Sequence, residues 1–278
     1  MKHGIAFVAI SILFFVAGQA RAAEATFDRA LTVSGKVDLK VETGAGYIHL
    51  THGSDTRLHV FGRIHSSWGA GSSKVAEIAG HPPIEQTGNI IRIGTSLNNL
   101  HNISIDYEIE APAGALVDAE TGSGDINDDG VGVNSKFSTG SGSIHLTGVA
   151  SGFSAETGSG NIYAEQAGSG DVKAETGSGS IELRNLNGAL KAETGSGSIK
   201  IGGTPTAPWK IETGAGSVEF WSGNASFTLD AETGMGGVQV DRQISAGQEQ
   251  SRREVKGKFG DGGPLVKIET GMGSIHIH

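Results

Sequence analysis

The chain has 278 residues, 45 of them glycine, with 6 % aromatics and no cysteine. Such a composition argues against an ordinary layered core, and the missing cysteines exclude disulfides, thiolate metal sites and a lipidated cysteine anchor. A formal net charge of −9 would repel a phosphate backbone, which sets nucleic acid aside as a partner.

In chain order, residues 1–22 come first. Lys2 and His3 precede an apolar run from Ile5 to Gly18, and Ala20-Arg21-Ala22 closes it with small residues. This is the pattern of a secretory signal peptide cleaved before Ala23. The apolar run is short for a bilayer span, so no transmembrane segment is expected to be retained. Cleavage would leave 19 basic against 30 acidic residues, a net of −11, and an exported chain in the periplasm, on the cell surface or outside the cell. Residues 23–278 are read as a single domain.

Thr-Gly-x-Gly occurs at Thr43, Thr121, Thr139, Thr157, Thr176, Thr194, Thr213, Thr233 and Thr270, with successive gaps of 78, 18, 18, 19, 18, 19, 20 and 37. A unit of 18–20 residues holds two short strands and their turns, too little to enclose a core alone, so the copies must stack. Five residues after each Thr stands Ile48, Ile126, Ile144, Ile162, Ile181, Ile199, Val218, Val238 or Ile275. Two further on, the residue is apolar in every copy but one, where it is Asp128. Before the Thr, apolar residues recur at two and four places back, as in Val172 and Ala174, with Ser135 the one polar exception. Both strands therefore alternate with period two, one face inward. The glycines mark a corner that needs positive φ, while Val149 and Leu186 are single inward pegs in the return turns. The fold class expected is all-β: a parallel β-helix, or β-solenoid, with rungs of 18–20 residues. Right-handed crossovers are the rule in parallel sheets, so a right-handed coil is expected, although 18 residues per turn also suits three hexapeptides of a left-handed helix.

Residues 51–112 interrupt the repeat. They read as a strand around Leu58, Val60 and Ile64, a short helix near residues 73–79, a hairpin across Thr87-Gly88-Asn89 and a strand over residues 103–109, together capping or widening the N-terminal end. Trp68 is either a core plug or a platform for carbohydrate stacking. Regular rungs follow over residues 113–240. Residues 241–264, which carry Arg242, Arg252, Arg253, Lys256 and Lys258 among acids, read as a degenerate rung or loop, with docking of an anionic partner as the functional alternative. The last rung, residues 265–278, stops on a strand, so its edge is expected to be covered by that loop or by another molecule, self-association included.

The residue before the repeat Thr is acidic in eight of nine copies, giving an outward carboxylate column through Glu156, Glu175, Glu193, Glu212 and Glu232. Lysines two residues earlier on the same face, Lys173, Lys191 and Lys210 among them, relieve the repulsion. A charge-balanced surface is the simplest reading, and calcium or a cationic partner along the column is the functional one. His49, His145 and His276 share an outward column but belong to the first, third and last copies, too far apart to share a metal ion. No local cluster of acids and bases suggests catalysis, no cofactor is implied, and the calcium-binding nonapeptide pattern fails on spacing.

The Thr-Gly-Ser-Gly-Ser-Ile copies, the opening rung at residues 39–50 and the Ile105-Asp106-Tyr107-Glu108-Ile109 strand before Ala111-Pro112 resemble the bacterial putative-adhesin family of unknown function. That resemblance covers nearly the whole mature chain. It implies a β-helix and a surface or envelope role, and supplies no catalytic residues. The expectation is a non-enzymatic adhesin, binding or scaffold protein with an envelope, glycan or protein partner. A polysaccharide-active β-helix enzyme, with a groove in residues 51–112 or 241–264, and a self-assembling structural protein are the alternatives.

Overall fold

Alternation with period two leaves each repeat with one apolar face per strand, and the structure buries those faces by laying repeat on repeat. A computed structural model describes residues 23–66, 72–94 and 102–278; residues 1–22, read from the sequence as a signal peptide, and Trp68 lie outside the described residues. The fold is all-β apart from one described helix, with mostly parallel pairing. Each rung is two strands joined at the glycine corner, such as Phe153–Ser159 and Ile162–Gln166. First strands pair in parallel with first strands and second with second, in identical register: Thr157 faces Thr176, and Ile162 faces Ile181.

The stacked strands enclose a mostly apolar interior. Ile126, Ile144, Ile162, Ile181, Ile199, Val218 and Ile275 are all buried, as are their partners two residues on, while Val238 and Val240 at the end of the stack are half-buried. Val149 and Leu186 point inward as expected. Ser135 replaces a large residue where Phe137 fills the volume, and both are buried. Five copies carry a large residue followed by Ala at these two places, as Phe153 and Ala155 do, whereas Trp209 with Ile211 and Val266 with Ile268 are large at both and lie side by side.

The repeat Thr has a reason the period alone does not supply. Its hydroxyl donates to the carbonyl of the second corner glycine in the adjacent rung: Thr157 to Gly142 at 2.8 Å, Thr176 to Gly160 at 2.9 Å, Thr194 to Gly179 at 2.8 Å. The same bond recurs from Thr121, Thr139, Thr213, Thr233 and Thr270. Thr is the residue that fills an inward aliphatic site with its methyl while satisfying a buried carbonyl. The corner glycines also differ from expectation. The second glycine does take positive φ in several rungs, +152° at Gly197 and +154° at Gly216. The first does not; a Cβ on Gly177 would lie 2.6 Å from the Gly158 carbonyl oxygen below it. Close stacking of corners, more than turn geometry, demands glycine there.

Both ends change from parallel to antiparallel pairing. At the N-terminal end, Ile103–Ala111 adds in parallel to the Thr43 rung, then Arg57–Ser66 and Glu24–Thr32 add antiparallel. Beside the first strand of the Thr43 rung, Asp38–Ala45, Ile90–Ile93 adds in parallel and turns at Gly88 into Ile84–Thr87. The helix Ser72–Gly80 buries Val75 and Ile78 against the outer strands.

The C-terminal end departs from the expected order. Leu265–Met272 and Ile275–Ile277 pair on one side with the Thr213 rung and on the other with the Thr233 rung. The last repeat in sequence is therefore the second to last in space, and it presents no free edge through which copies could associate. Residues 241–264 are likewise not a degenerate rung. Glu254–Phe259 pairs antiparallel with Phe227–Met235, and Ala246–Gln250 pairs antiparallel with it in turn, capping the Thr233 rung with a hairpin. Sequence neighbours need not stack when every repeat offers the same register, and an antiparallel hairpin closes off the strand edge that a further rung would otherwise occupy. Trp209, Phe220, Phe227 and Phe259 form a run of ring contacts with centroids 5.3, 5.5 and 4.7 Å apart that ties this end together.

Candidate functional site

On the outer face of the first strands, side chains two residues apart in one rung and in register between rungs approach within ion-pair distance. Lys173 reaches Glu156 of the rung below at 2.7 Å and Glu175 of its own at 2.9 Å. Lys191 bridges Glu175 and Glu193, and Lys210 bridges Glu193 at 3.0 Å and Glu212 at 2.8 Å. The ladder continues from Glu212 to Glu269, paired with Lys267 at 2.8 Å, and only then to Glu232. The carboxylate column thus contains Glu156, Glu175, Glu193 and Glu212 in the expected succession, and Glu269 separates Glu212 from Glu232.

The electrostatics follow from the zigzag. The hydrogen bond from Lys173 holds the Glu156 carboxyl below the usual range. At Glu175 and Glu193 partial burial opposes ionisation, but two ammonium groups outweigh it and the carboxyls still lie low. Lys173 and Lys191 are raised chiefly by the hydrogen bonds to their glutamates. Each of these carboxylates is committed to lysine, so the face offers fixed, evenly repeated charge.

Beside the ladder runs an open trough of about 840 Å³, walled by Glu156, Glu175, Glu193, Glu212 and Glu269 and floored by the Thr-Gly corners. With no Cβ at the corner glycines, backbone forms the floor. The corner residues stack as Ser141, Ser159, Ser178 and Ser196, all exposed, then change to the half-buried Ala215 and the exposed Met272 and Met235 at the C-terminal end.

The three histidines of the outward column stay apart. His49 approaches Asp129 at 3.3 Å, and His145 stacks on Tyr163 with centroids 4.5 Å apart. His276 instead meets Asp241 and His278, a constellation that exists only because the last repeat is inserted beneath the Thr233 rung. The His-x-His pattern at residues 276–278 is a local signal for it. Asp128, the polar exception in the inward column, is fully buried between Leu50 and Leu146, and neither carboxylate oxygen has a hydrogen-bonding partner. Burial pushes its pKa up to about 8, only partly offset by the nearby Val131 amide.

The profile of the Toastrack DUF4097 family matches residues 24–278. This chain belongs to that family. Among solved structures, the Toastrack chain is similar to a putative adhesin from Bacteroides fragilis, at 15 % identity over 91 % of this chain and 97 % of the other, with a TM-score of 0.34. It is similar to a putative cell adhesion protein from Clostridium sporogenes at 15 % identity over 91 % of this chain and 99 % of the other, with a TM-score of 0.29. No curated protein matches it. Among the described residues of this Toastrack domain, no helix is long and apolar enough to cross a membrane.

Proposed function

We propose that this Toastrack protein is an exported, non-enzymatic binding or scaffold solenoid of the cell envelope, and that the trough beside the Lys/Glu ladder receives an extended partner, a glycan or a protein segment. The observation that carries this reading is repetition: the same Glu, Thr and glycine corner recur in register through five successive rungs along the trough. Equivalent groups at a strand spacing of about 4.8 Å suit a partner that is itself extended and repetitive. Hydrolysis needs the opposite, two or three unlike groups converging on one bond with separated pKa values. The described carboxyl with the clearest upward displacement, Asp128, is sealed in the core beyond any substrate.

The test pairs binding with turnover. The purified chain is applied to a glycan array and to isolated cell-envelope material, and reducing-end release is assayed on the same polysaccharides. Retention without bond cleavage is expected, falling at least tenfold when Glu175 and Glu193 are both replaced by Lys, which reverses the wall of the trough. Turnover of a polysaccharide, or retention indifferent to that double replacement, would overturn the reading.

A further inference from the structure

We propose that Asp241, His276 and His278 form a binding site for a divalent transition-metal ion of the zinc type. His276 and His278 are alternate residues of one strand end, so both side chains leave the same face, and their rings lie 3.8 Å apart between centroids. Asp241 follows directly on Val238–Val240, the neighbouring strand, and its Oδ2 lies 2.7 Å from His276 Nε2 and 3.4 Å from His278 Nδ1. All three ligand atoms fall within 4.8 Å of one another. A tetrahedral ion bonded at about 2.0–2.2 Å holds its ligand atoms about 3.3 Å apart, a value these separations bracket.

The surroundings orient each ligand. Gln239 donates to Asp241 Oδ1 at 3.2 Å, leaving Oδ2 directed at the histidines. Trp221 stacks on His278 with the rings 5° from parallel and 4.8 Å apart, which fixes the plane of that imidazole. The main chain of His278 is tied by its N–H to the Phe220 carbonyl at 2.9 Å. His278 Nε2 is buried with no partner, so Nδ1 is the nitrogen that remains for an ion. Outer contacts of this kind position metal ligands. The neighbouring cation, Arg242, is turned away: it donates to Ser222 Oγ and the Ala225 carbonyl and lies over the Phe227 and Phe259 rings. Side-chain exposures of 46 % for Asp241, 31 % for His276 and 29 % for His278 leave the site open to solution.

Two imidazoles and one carboxylate select zinc, cobalt, nickel or copper over calcium and magnesium, which prefer all-oxygen ligands. Three protein ligands leave one tetrahedral position for water. The site joins the inserted last repeat to the strand that follows it in space, so an occupied site would pin the Thr233 rung in place. This inference does not depend on what the trough binds.

Zn²⁺ is titrated by calorimetry into the tag-free chain, and Co²⁺ is added with visible absorption as readout. The expected result is one ion per chain, a four-coordinate ligand-field band with Co²⁺, and no response to Ca²⁺. Asp241→Asn and His276→Gln should each weaken Zn²⁺ at least tenfold with an unchanged circular dichroism spectrum, whereas His49→Gln, at the far end of the stack, should bind as the parent does. If His276→Gln perturbs folding, Asp241→Asn, which alters an exposed residue beyond the strand end, decides. Absence of Zn²⁺ binding at millimolar concentration, or parental affinity in Asp241→Asn, would refute the site.

Discussion

The rungs from Thr121 to Thr213 stack in the order in which the chain makes them, whereas beyond Thr213 the chain skips a place, builds the Thr233 rung and its hairpin, and returns to fill the gap. Both regions use the same Thr-to-glycine bond and the same register. What differs is the interior. The regular part is filled mainly by Ile, Leu, Val and Ala, with Phe137 and Phe153 as isolated rings, whereas Trp209, Phe220, Phe227 and Phe259 touch one another where the chain returns. Identical registers make the repeats interchangeable to the backbone, so side-chain bulk and the antiparallel hairpin must specify which repeat lies where. A solenoid assembled only in order can fray from its end rung by rung. One closed by an inserted rung couples its last residues to a strand more than 30 residues earlier.

That coupling predicts the largest effect. Ile268 is fully buried between Ile211 and Ala231 of the two flanking rungs. Ile268→Asp places an unpaired charge there, at a cost of about 3–5 kcal/mol. Although the position is close to the chain end, the substitution should destabilise the protein as much as Ile199→Asp does in the middle of the regular stack. It should also strip hydrogen-exchange protection from Phe227–Met235. Protection of that strand retained in the variant would mean that the inserted rung does not hold the end together.

Asp128 sharpens the comparison from the regular side, because it is the one ionisable group in an otherwise apolar column. Its folded pKa is raised from 3.8 to about 8. Between those values the folded chain binds a proton that the unfolded chain has released, so stability falls as pH rises. Its stabilising state is fully present below pH 4 and is lost as pH passes 8. Asp128→Asn removes the titration while keeping the shape. Denaturant melts of the two proteins should coincide near pH 4 and diverge by a few kcal/mol in favour of the variant at pH 8. A parental slope unchanged by Asp128→Asn would place the pH dependence elsewhere.

The sequence was most informative where a period of two met a recurrent landmark. Ile162, Ile181 and Ile199 could be placed inside, and Glu156, Glu175 and Glu193 outside, because strand parity admits no third choice. The helix over Ser72–Gly80 and the hairpin turning at Gly88 were legible from local chemistry as well. The place of Glu269 was not, because a repeat's own residues say only that it stacks and not upon which neighbour. The same ambiguity hid the approach of Asp241 to His276. One signal did exist: 37 residues separate Thr233 from Thr270, enough for a hairpin that reverses the chain and returns it. The Thr hydroxyl ladder was illegible for a different reason, since the acceptor is a backbone carbonyl that leaves no mark on composition.

The smallest effect separates two causes for glycine within the regular stack. Gly177 is not in the positive-φ region, yet an added Cβ would lie 2.6 Å from the Gly158 carbonyl oxygen of the adjacent rung. That oxygen belongs to backbone locked into the parallel ladder, so relief requires the rungs to part locally, and overpacking of this kind costs about 1–3 kcal/mol. Gly202 also avoids positive φ, but its Cβ would meet nothing within 4 Å. Gly202→Ala should therefore be neutral or stabilise by about 0.4–1 kcal/mol, through the reduced freedom of the unfolded chain, while Gly177→Ala lowers the melting temperature. Equal melting temperatures for the two variants would show that the corner glycines serve turn geometry alone, and that rungs in the ordered part of the stack are not in contact through their corners.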